Sequence, residues 1–162
     1  MTTLTIIIII SIAAVISLAI LVVSSSQKKR KESLNAITAL LRTLPTGEQQ
    51  KALGDSLACA GDLSAADLQQ TNLQYVYLGD KADKIKMVRT DMYMADLSYA
   101  VFENVDASGA IFTYANLTGA KFVNVLLLGA NFSQAVNVPS EIKSHLNEKG
   151  ICVYKEAVST NY

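Results

Sequence analysis

The chain has no tryptophan, only two prolines and two cysteines, and a single histidine in 162 residues. Cys59 and Cys152 stand alone, without a C-x-x-C pair. With only His145 beside them, no zinc-ligand pattern can be assembled. They read as two reduced thiols, and His145 reads as a solvated side chain on a surface helix. Also missing are G-x-G-x-x-G, G-x-x-x-x-G-K-[ST], H-E-x-x-H and a nucleophile elbow. No catalytic constellation, metal site or cofactor site is therefore expected, and the chain does not read as an enzyme.

Charge is missing from the beginning of the chain. An apolar run of twenty residues starts at Leu4 and ends at Val23, interrupted only by Thr5, Ser11 and Ser17. As a helix it would be about 30 Å long, the hydrocarbon thickness of a bilayer. The run is too long for a signal-peptide core, Met1-Thr2-Thr3 carries no basic side chain, and Val22-Val23-Ser24-Ser25-Ser26 is a poor cleavage site. Residues 1–26 are thus expected to be an uncleaved transmembrane anchor. Lys28, Lys29, Arg30 and Lys31 follow as a membrane-surface basic cluster. By the positive-inside rule they place the N-terminus outside and the remainder in the cytoplasm, on a bacterial inner membrane. The formal net charge of zero conceals this division. Residues 1–53 carry six basic and two acidic side chains (+4), and residues 54–162 carry eight and twelve (−4). Residues 27–56 are expected to hold a juxtamembrane helix and an N-terminal cap. The helix runs from Gln27 to Arg42, with Leu34, Ile37, Leu40 and Leu41 on one face, and Leu44-Pro45-Thr46-Gly47 ends it. The cap follows at residues 47–57, where Leu53 and Leu57 cover what comes next.

The remainder has neither a helix period of 3.6 nor a strand period of 2. Small or β-branched residues stand two places before large apolar ones every five residues: Gly61/Leu63, Ala66/Leu68, Thr71/Leu73 and Val76/Leu78. After a break the series resumes with Thr90/Met92, Ala95/Leu97, Ala100/Phe102, Val105/Ala107, Ala110/Phe112, Ala115/Leu117, Ala120/Phe122, Val125/Leu127 and Ala130/Phe132. A fixed short period is the signature of a solenoid. The stretches Ala66-Asp67-Leu68-Gln69-Gln70, Ala95-Asp96-Leu97-Ser98-Tyr99, Ala115-Asn116-Leu117-Thr118-Gly119 and Ala130-Asn131-Phe132-Ser133-Gln134 resemble the pentapeptide-repeat family.

The resemblance implies an all-β solenoid, a right-handed four-sided β-helix of about four coils over residues 57–138. Each repeat makes one side, and both apolar members point inward. Coils of twenty residues place Phe112 over Phe132, Leu97 over Leu117, Phe102 over Phe122 and Val105 over Val125. The break from Leu78 to Met92 is fourteen residues, one short of three repeats. A four-residue side at Lys81-Ala82-Asp83-Lys84 would realign the columns at a spacing of nineteen, bringing Thr71 to Thr90, Ala66 to Ile85, and Leu73 to Met92 and Phe112. One shortened or bulged corner is expected there, within a single domain. Gly109, Gly119 and Gly129 fall at corners, where freedom of φ helps. Residues 139–162 should cap the far end, with a helix over Ser140 to Lys149 between Pro139 and Gly150, then a strand at Ile151-Cys152-Val153-Tyr154.

The acidic residues Asp62, Asp67, Asp91, Asp96, Glu103 and Asp106 should point outward into water, where nothing tunes them for acid catalysis. Ser98 should also face out. Two exterior groups depart from this polar surface and are the candidate partner surface. Tyr75, Met94 and Tyr114 should form one column, with Tyr93 and Ile111 close by. Leu126 and Leu128 flank the inward Leu127, with Val123 on an adjoining face, unless the C-terminal segment covers them. The expected function is a membrane-anchored, non-enzymatic protein–protein interaction or scaffold module whose partners are the bilayer and a protein, with a second copy of the chain as an alternative occupant. The competing reading comes from the resemblance. Some family members mimic a DNA duplex and modulate a topoisomerase, DNA gyrase. The short solenoid and the interrupting Lys81, Lys84, Lys86 and Arg89 argue against that reading and against nucleic acid as a ligand.

Overall fold

The computed structural model describes residues 62–79 and 84–160, together with the single exposed helical position Ala39. The apolar run of residues 4–23, the basic cluster, the juxtamembrane helix, the N-terminal cap and Cys59 lie outside the described residues. Among those described, no helix is long and apolar enough to cross a membrane.

Every five residues the chain turns a corner. On three of the four sides the carbonyl of the central apolar residue accepts the N–H three residues on, as in Ala66 to Leu63, Ala95 to Met92 and Ala110 to Ala107. The residue before that N–H takes positive φ: Ala65, Gln70, Tyr75, Arg89, Met94, Tyr99, Tyr114 and Gln134 lie at +53° to +59°, and Gly109, Gly119 and Gly129 at +65° to +76°. Left-handed backbone costs a residue with a Cβ on the order of 1 kcal/mol. The same residues donate to the next coil, as Tyr99 N–H does to Thr118 O, and those bonds hold them there. An Asp or Asn just before the central residue stabilises many of the corners. Its Oδ1 accepts the N–H two residues later at Asp62, Asp67, Asn72, Asp91, Asp96, Asp106, Asn116 and Asn131. These side chains are parts of the turn rather than a ladder standing free in water.

Four such sides close a coil. Strands β1 (Tyr77–Gly79), β3 (Val101–Glu103) and β5 (Lys121–Val123) stack in parallel, as do β2 (Ile85–Lys86), β4 (Val105–Asp106) and β6 (Val125–Leu126). Phe102 pairs with Phe122 and Asp106 with Leu126, a spacing of twenty. Isolated bridges Asp91 to Ile111 and Asp96 to Asn116 carry the same spacing through the other two sides. The coils therefore have four walls, with their central residues stacked in columns. The first wall holds Leu63, Met87, Ala107 and Leu127; the second holds Leu68, Met92, Phe112 and Phe132. Leu73, Leu97 and Leu117 fill the third, and Leu78, Phe102 and Phe122 the fourth. All are buried. Phe112 stacks on Phe132 at 4.6 Å and Phe102 on Phe122 at 4.8 Å between ring centroids, as twenty-residue coils require. Thr71 and Thr90 are buried among apolar residues, and their hydroxyls donate to the carbonyls of Leu68 and Leu63.

The break corrects the expected register. Leu78 pairs with Phe102, and Asp67 and Asn72 bridge to Asp91 and Asp96. The first coil is offset from the second by twenty-four residues, not nineteen. Leu73 sits over Leu97 rather than Met92, and Ile85/Met87 forms a further repeat beneath the first. Fourteen residues equal three repeats less one, but also two repeats plus four. The second solution prevails because a side made from Lys81-Ala82-Asp83-Lys84 would offer only Ala82 to the core. The four added residues fall between Gly79 and Lys84, where residues 80–83 lie outside the described residues, and the coils on either side stack continuously.

The C-terminal segment saturates the last coil. Helix α1 is a single turn, Ser140–Lys143, shorter than the helix expected to reach Lys149. Asn147 intervenes, its Oδ1 accepting the N–H groups of Lys149 and Ile151. The chain then crosses beneath the solenoid. Phe132 N–H donates to Gly150 O, and Gly129 N–H to Cys152 O. Strand β7 (Ala157–Val158), absent from the sequence reading, pairs antiparallel with β6, and Thr160 N–H reaches Phe122 O. Gly150 has φ of +75°, and a Cβ there would lie 3.0 Å from the Ser133 backbone. Ile142, Cys152 and Val158 complete the core. Burial pushes the Cys152 thiol up, although the Tyr154 backbone N–H acts against it. His145 is half-buried and stacked on Tyr154 at 4.0 Å, so it packs within the cap rather than standing in water.

Candidate protein-interaction surface

The corner geometry decides which side chains the solenoid displays. A residue in the left-handed position projects from the edge between two walls, so a large side chain there stays exposed. Tyr75, Met94, Tyr99 and Tyr114 occupy such positions and are 62%, 49%, 50% and 50% exposed.

The expected column of Tyr75, Met94 and Tyr114 does not form. With the first coil offset by twenty-four, Tyr75 stacks on Tyr99, with centroids 5.0 Å apart and planes within 5°. The next residue in that column is Gly119. A Cβ there would fall 2.6 Å from Tyr99 Cδ1, so the ring lies where a side chain would have been. Met94 and Tyr114 share the neighbouring edge, and Tyr93 meets Tyr114 edge to face at 5.7 Å. Ile111 is half-buried on the second wall, bridged to Asp91 and Asn131. The third wall is thus framed by two edges, one of stacked tyrosines and one of methionine and tyrosine. Tyr99 was missed from sequence because the correct offset is what brings it to Tyr75.

Between the edges lies a connected polar strip. Gln74 Nε2 donates to Asp96 Oδ2, Ser98 Oγ to Asp96 Oδ1, and Asn116 Nδ2 to Ser98 Oγ at 2.7 Å. Ser98 is buried at 7% exposure, not outward in water as expected. Burial tends to raise the pKa of Asp96. The hydrogen bonds from Ser98, Gln74, the Ser98 backbone and Asn116 outweigh it, holding the carboxyl below the usual carboxylate range. On the second wall Gln69 Nε2 likewise donates to Asp91 Oδ2 at 2.8 Å.

Charge is divided between the walls. The described second and third walls carry Asp67, Asp91 and Asp96 and no lysine or arginine. Lys86, Arg89 and Lys121 lie on the first and fourth walls or at their margins, with Asp62, Glu103 and Asp106. The other apolar group is less coherent than expected. Leu128 is exposed at 44%, but Leu126 is half-buried on β6, where Ala157 of β7 pairs with it, and Val123 is half-buried on the fourth wall. Val136 and Val153, not anticipated, are exposed as well. Among the described residues no group of three or more His, Cys, Asp or Glu side chains could hold a metal ion.

This five-residue turn, repeated with inward apolar pairs and outward Asx side chains, has a counterpart among known families. The model described as pentapeptide repeats matches residues 90–129 and 115–136, in eight copies. Residues 90–136 carry pentapeptide repeats. The repeat geometry extends beyond the matched segment, back to Asp62. Similar solved structures include QnrB1, titled a plasmid-mediated fluoroquinolone resistance protein, at 28% identity over 46% of this chain and 33% of that one, with a TM-score of 0.29. Another is the pentapeptide-repeat protein Rfr23 from the cyanobacterium Cyanothece 51142, at 26% identity over 46% of this chain and 55% of that one, TM-score 0.24. The chain thus spans about a third of the length of the first and about half of the second. Among curated proteins, none matches it.

Proposed function

We propose that the chain is a membrane-tethered, non-enzymatic interaction module in which a rigid pentapeptide-repeat solenoid presents the third wall and its two edges to a protein partner. The observation that carries this reading is the set of four large exposed side chains, Tyr75, Met94, Tyr99 and Tyr114, held at left-handed corners. Contiguous exposed aromatic and apolar groups mark binding surfaces more often than scattered ones do, and tyrosine is enriched at interface centres. The solenoid's interior is filled by stacked side chains, which leaves its outer walls to do the recognition.

The tether is part of the same proposal. The uncharged run from Leu4 to Val23 and the basic cluster Lys28 to Lys31 support a single span with the solenoid on the cytoplasmic face. Right-handed winding is assigned on the resemblance and on the preference of parallel crossovers, about 98% of which are right-handed.

Two paired substitutions test the surface in the full-length protein, captured from detergent-solubilised native membranes. Tyr99→Ser with Tyr114→Ser should abolish recovery of the partner while circular dichroism and the thermal midpoint stay within a few degrees of wild type. Leu126→Glu with Leu128→Glu, on the other side, should leave recovery intact. Partner recovery unchanged by the tyrosine pair would remove this face from consideration. Alkaline carbonate extraction and protease shaving of spheroplasts test the tether: the protein should stay in the membrane and the solenoid should escape digestion from outside.

A further inference from the structure

Resting on that reading, we infer that the ligand of the third-wall face is a cationic, arginine-bearing segment of the partner. Three observations converge. First, the second and third walls carry three carboxylates and no cation among their described residues, while Lys86 and Lys121 sit on the other two walls and Arg89 on the edge between the first and second. Second, Asp96 is held ionised by its hydrogen bonds, so the negative charge of the strip is fixed rather than adjustable. Third, the edges of the strip carry the rings of Tyr75, Tyr99 and Tyr114, each half-exposed or more, beside Met94.

A guanidinium suits both features. It accepts aromatic contact and donates in a planar fork to carboxylates, whereas an ammonium is a compact, strongly hydrated point charge. The carboxylate oxygens already bound to Gln69 and Gln74 retain lone pairs, since each ionised carboxyl has about four acceptor sites. The same charge argues against other occupants. A second copy presenting the same face would bring like charges together, and anionic lipid and nucleic acid would be repelled for the same reason.

The repeat supplies a conservative test. Asn72, Asn116 and Asn131 stand where other repeats have Asp and make the same Oδ1 turn bond. Asp91→Asn with Asp96→Asn therefore removes two charges while keeping the turn. The full-length protein in nanodiscs of zwitterionic lipid is titrated with fluorescein-labelled (Gly-Arg)6, (Gly-Lys)6 and (Gly-Glu)6 peptides. The arginine peptide should bind at least fivefold more tightly than the lysine peptide, and the glutamate peptide should not bind. Binding should weaken tenfold or more with the paired Asp→Asn substitutions, and by a similar factor with Tyr99→Ser and Tyr114→Ser. Equal binding of the arginine and glutamate peptides, or arginine binding indifferent to both pairs, would overturn the inference. If the tyrosine pair abolishes native partner recovery while the Asp→Asn pair leaves both recovery and peptide binding unchanged, the face stands and its cationic ligand does not.

Discussion

Ser98 and Phe112 show how far apart two repeat residues can be in consequence. Phe112 is fully buried, stacked on Phe132 and edge-on to Phe102 and Phe122. Phe112→Ala should cost about 3–5 kcal/mol in chemical denaturation. Ser98→Ala, which looks innocuous from its outward repeat position, should cost about 1–2 kcal/mol, because it withdraws a donor from Asp96 and an acceptor from Asn116. The five-residue pattern shows which residues point inward, but the burial of Ser98 comes from neighbours one coil away. Asp96 adds a pH dependence. Its folded pKa is depressed, so its contribution is present above the unfolded value near 3.8 and is lost as pH falls through the folded value. Thermal midpoints measured downward from pH 6 should fall less steeply in Asp96→Asn than in wild type. Parallel curves would deny Asp96 this role.

At the scale of elements, the corner between β1 and β2 is the most instructive. Its existence was legible, since the five-residue rhythm plainly fails between Leu78 and Met92. Its direction was not, because the count alone fits a deficit of one or a surplus of four. Only pairing Leu78 with Phe102 and Tyr75 with Tyr99 decides between them. Removing residues 80–83 should then restore a uniform twenty-residue offset, and the shortened protein should keep its circular dichroism spectrum and melt within a few degrees of wild type. Under a nineteen-residue offset the same deletion would wreck the register and unfold the first coil. The cap was legible as a helix start at Pro139 but not in extent. Strand β7 carries too few residues to show a period, and it is placed by the open edge of β6.

For the whole molecule, stability is expected to be close to a sum of coil terms and coil–coil interfaces, with the C-terminal segment closing the far end. The candidate face was half legible. Tyr75, Met94 and Tyr114 were found as exposed residues because the corner position is regular. Their grouping and the place of Tyr99 depended on the offset, and the division of charge emerges only when four walls are assigned.

The coils also have a mechanical grain. Every coil–coil hydrogen bond runs along the solenoid axis, the chain enters the described coils at the first one, and it leaves beneath the last. A pull on the proposed tether at the entry end would load one seam at a time, peeling a coil from its neighbour before the next feels the strain. Each released coil of twenty residues should lengthen the chain by about 65 Å, from roughly 3.5 Å per residue less about 5 Å of coil rise. The first coil, with four more residues before its partner strand, should yield a longer step, about 80 Å. Optical-tweezer traces should show such unequal steps, and a single all-or-none rupture would contradict them. A binding surface built this way can be shortened by traction one layer at a time, starting with Tyr75.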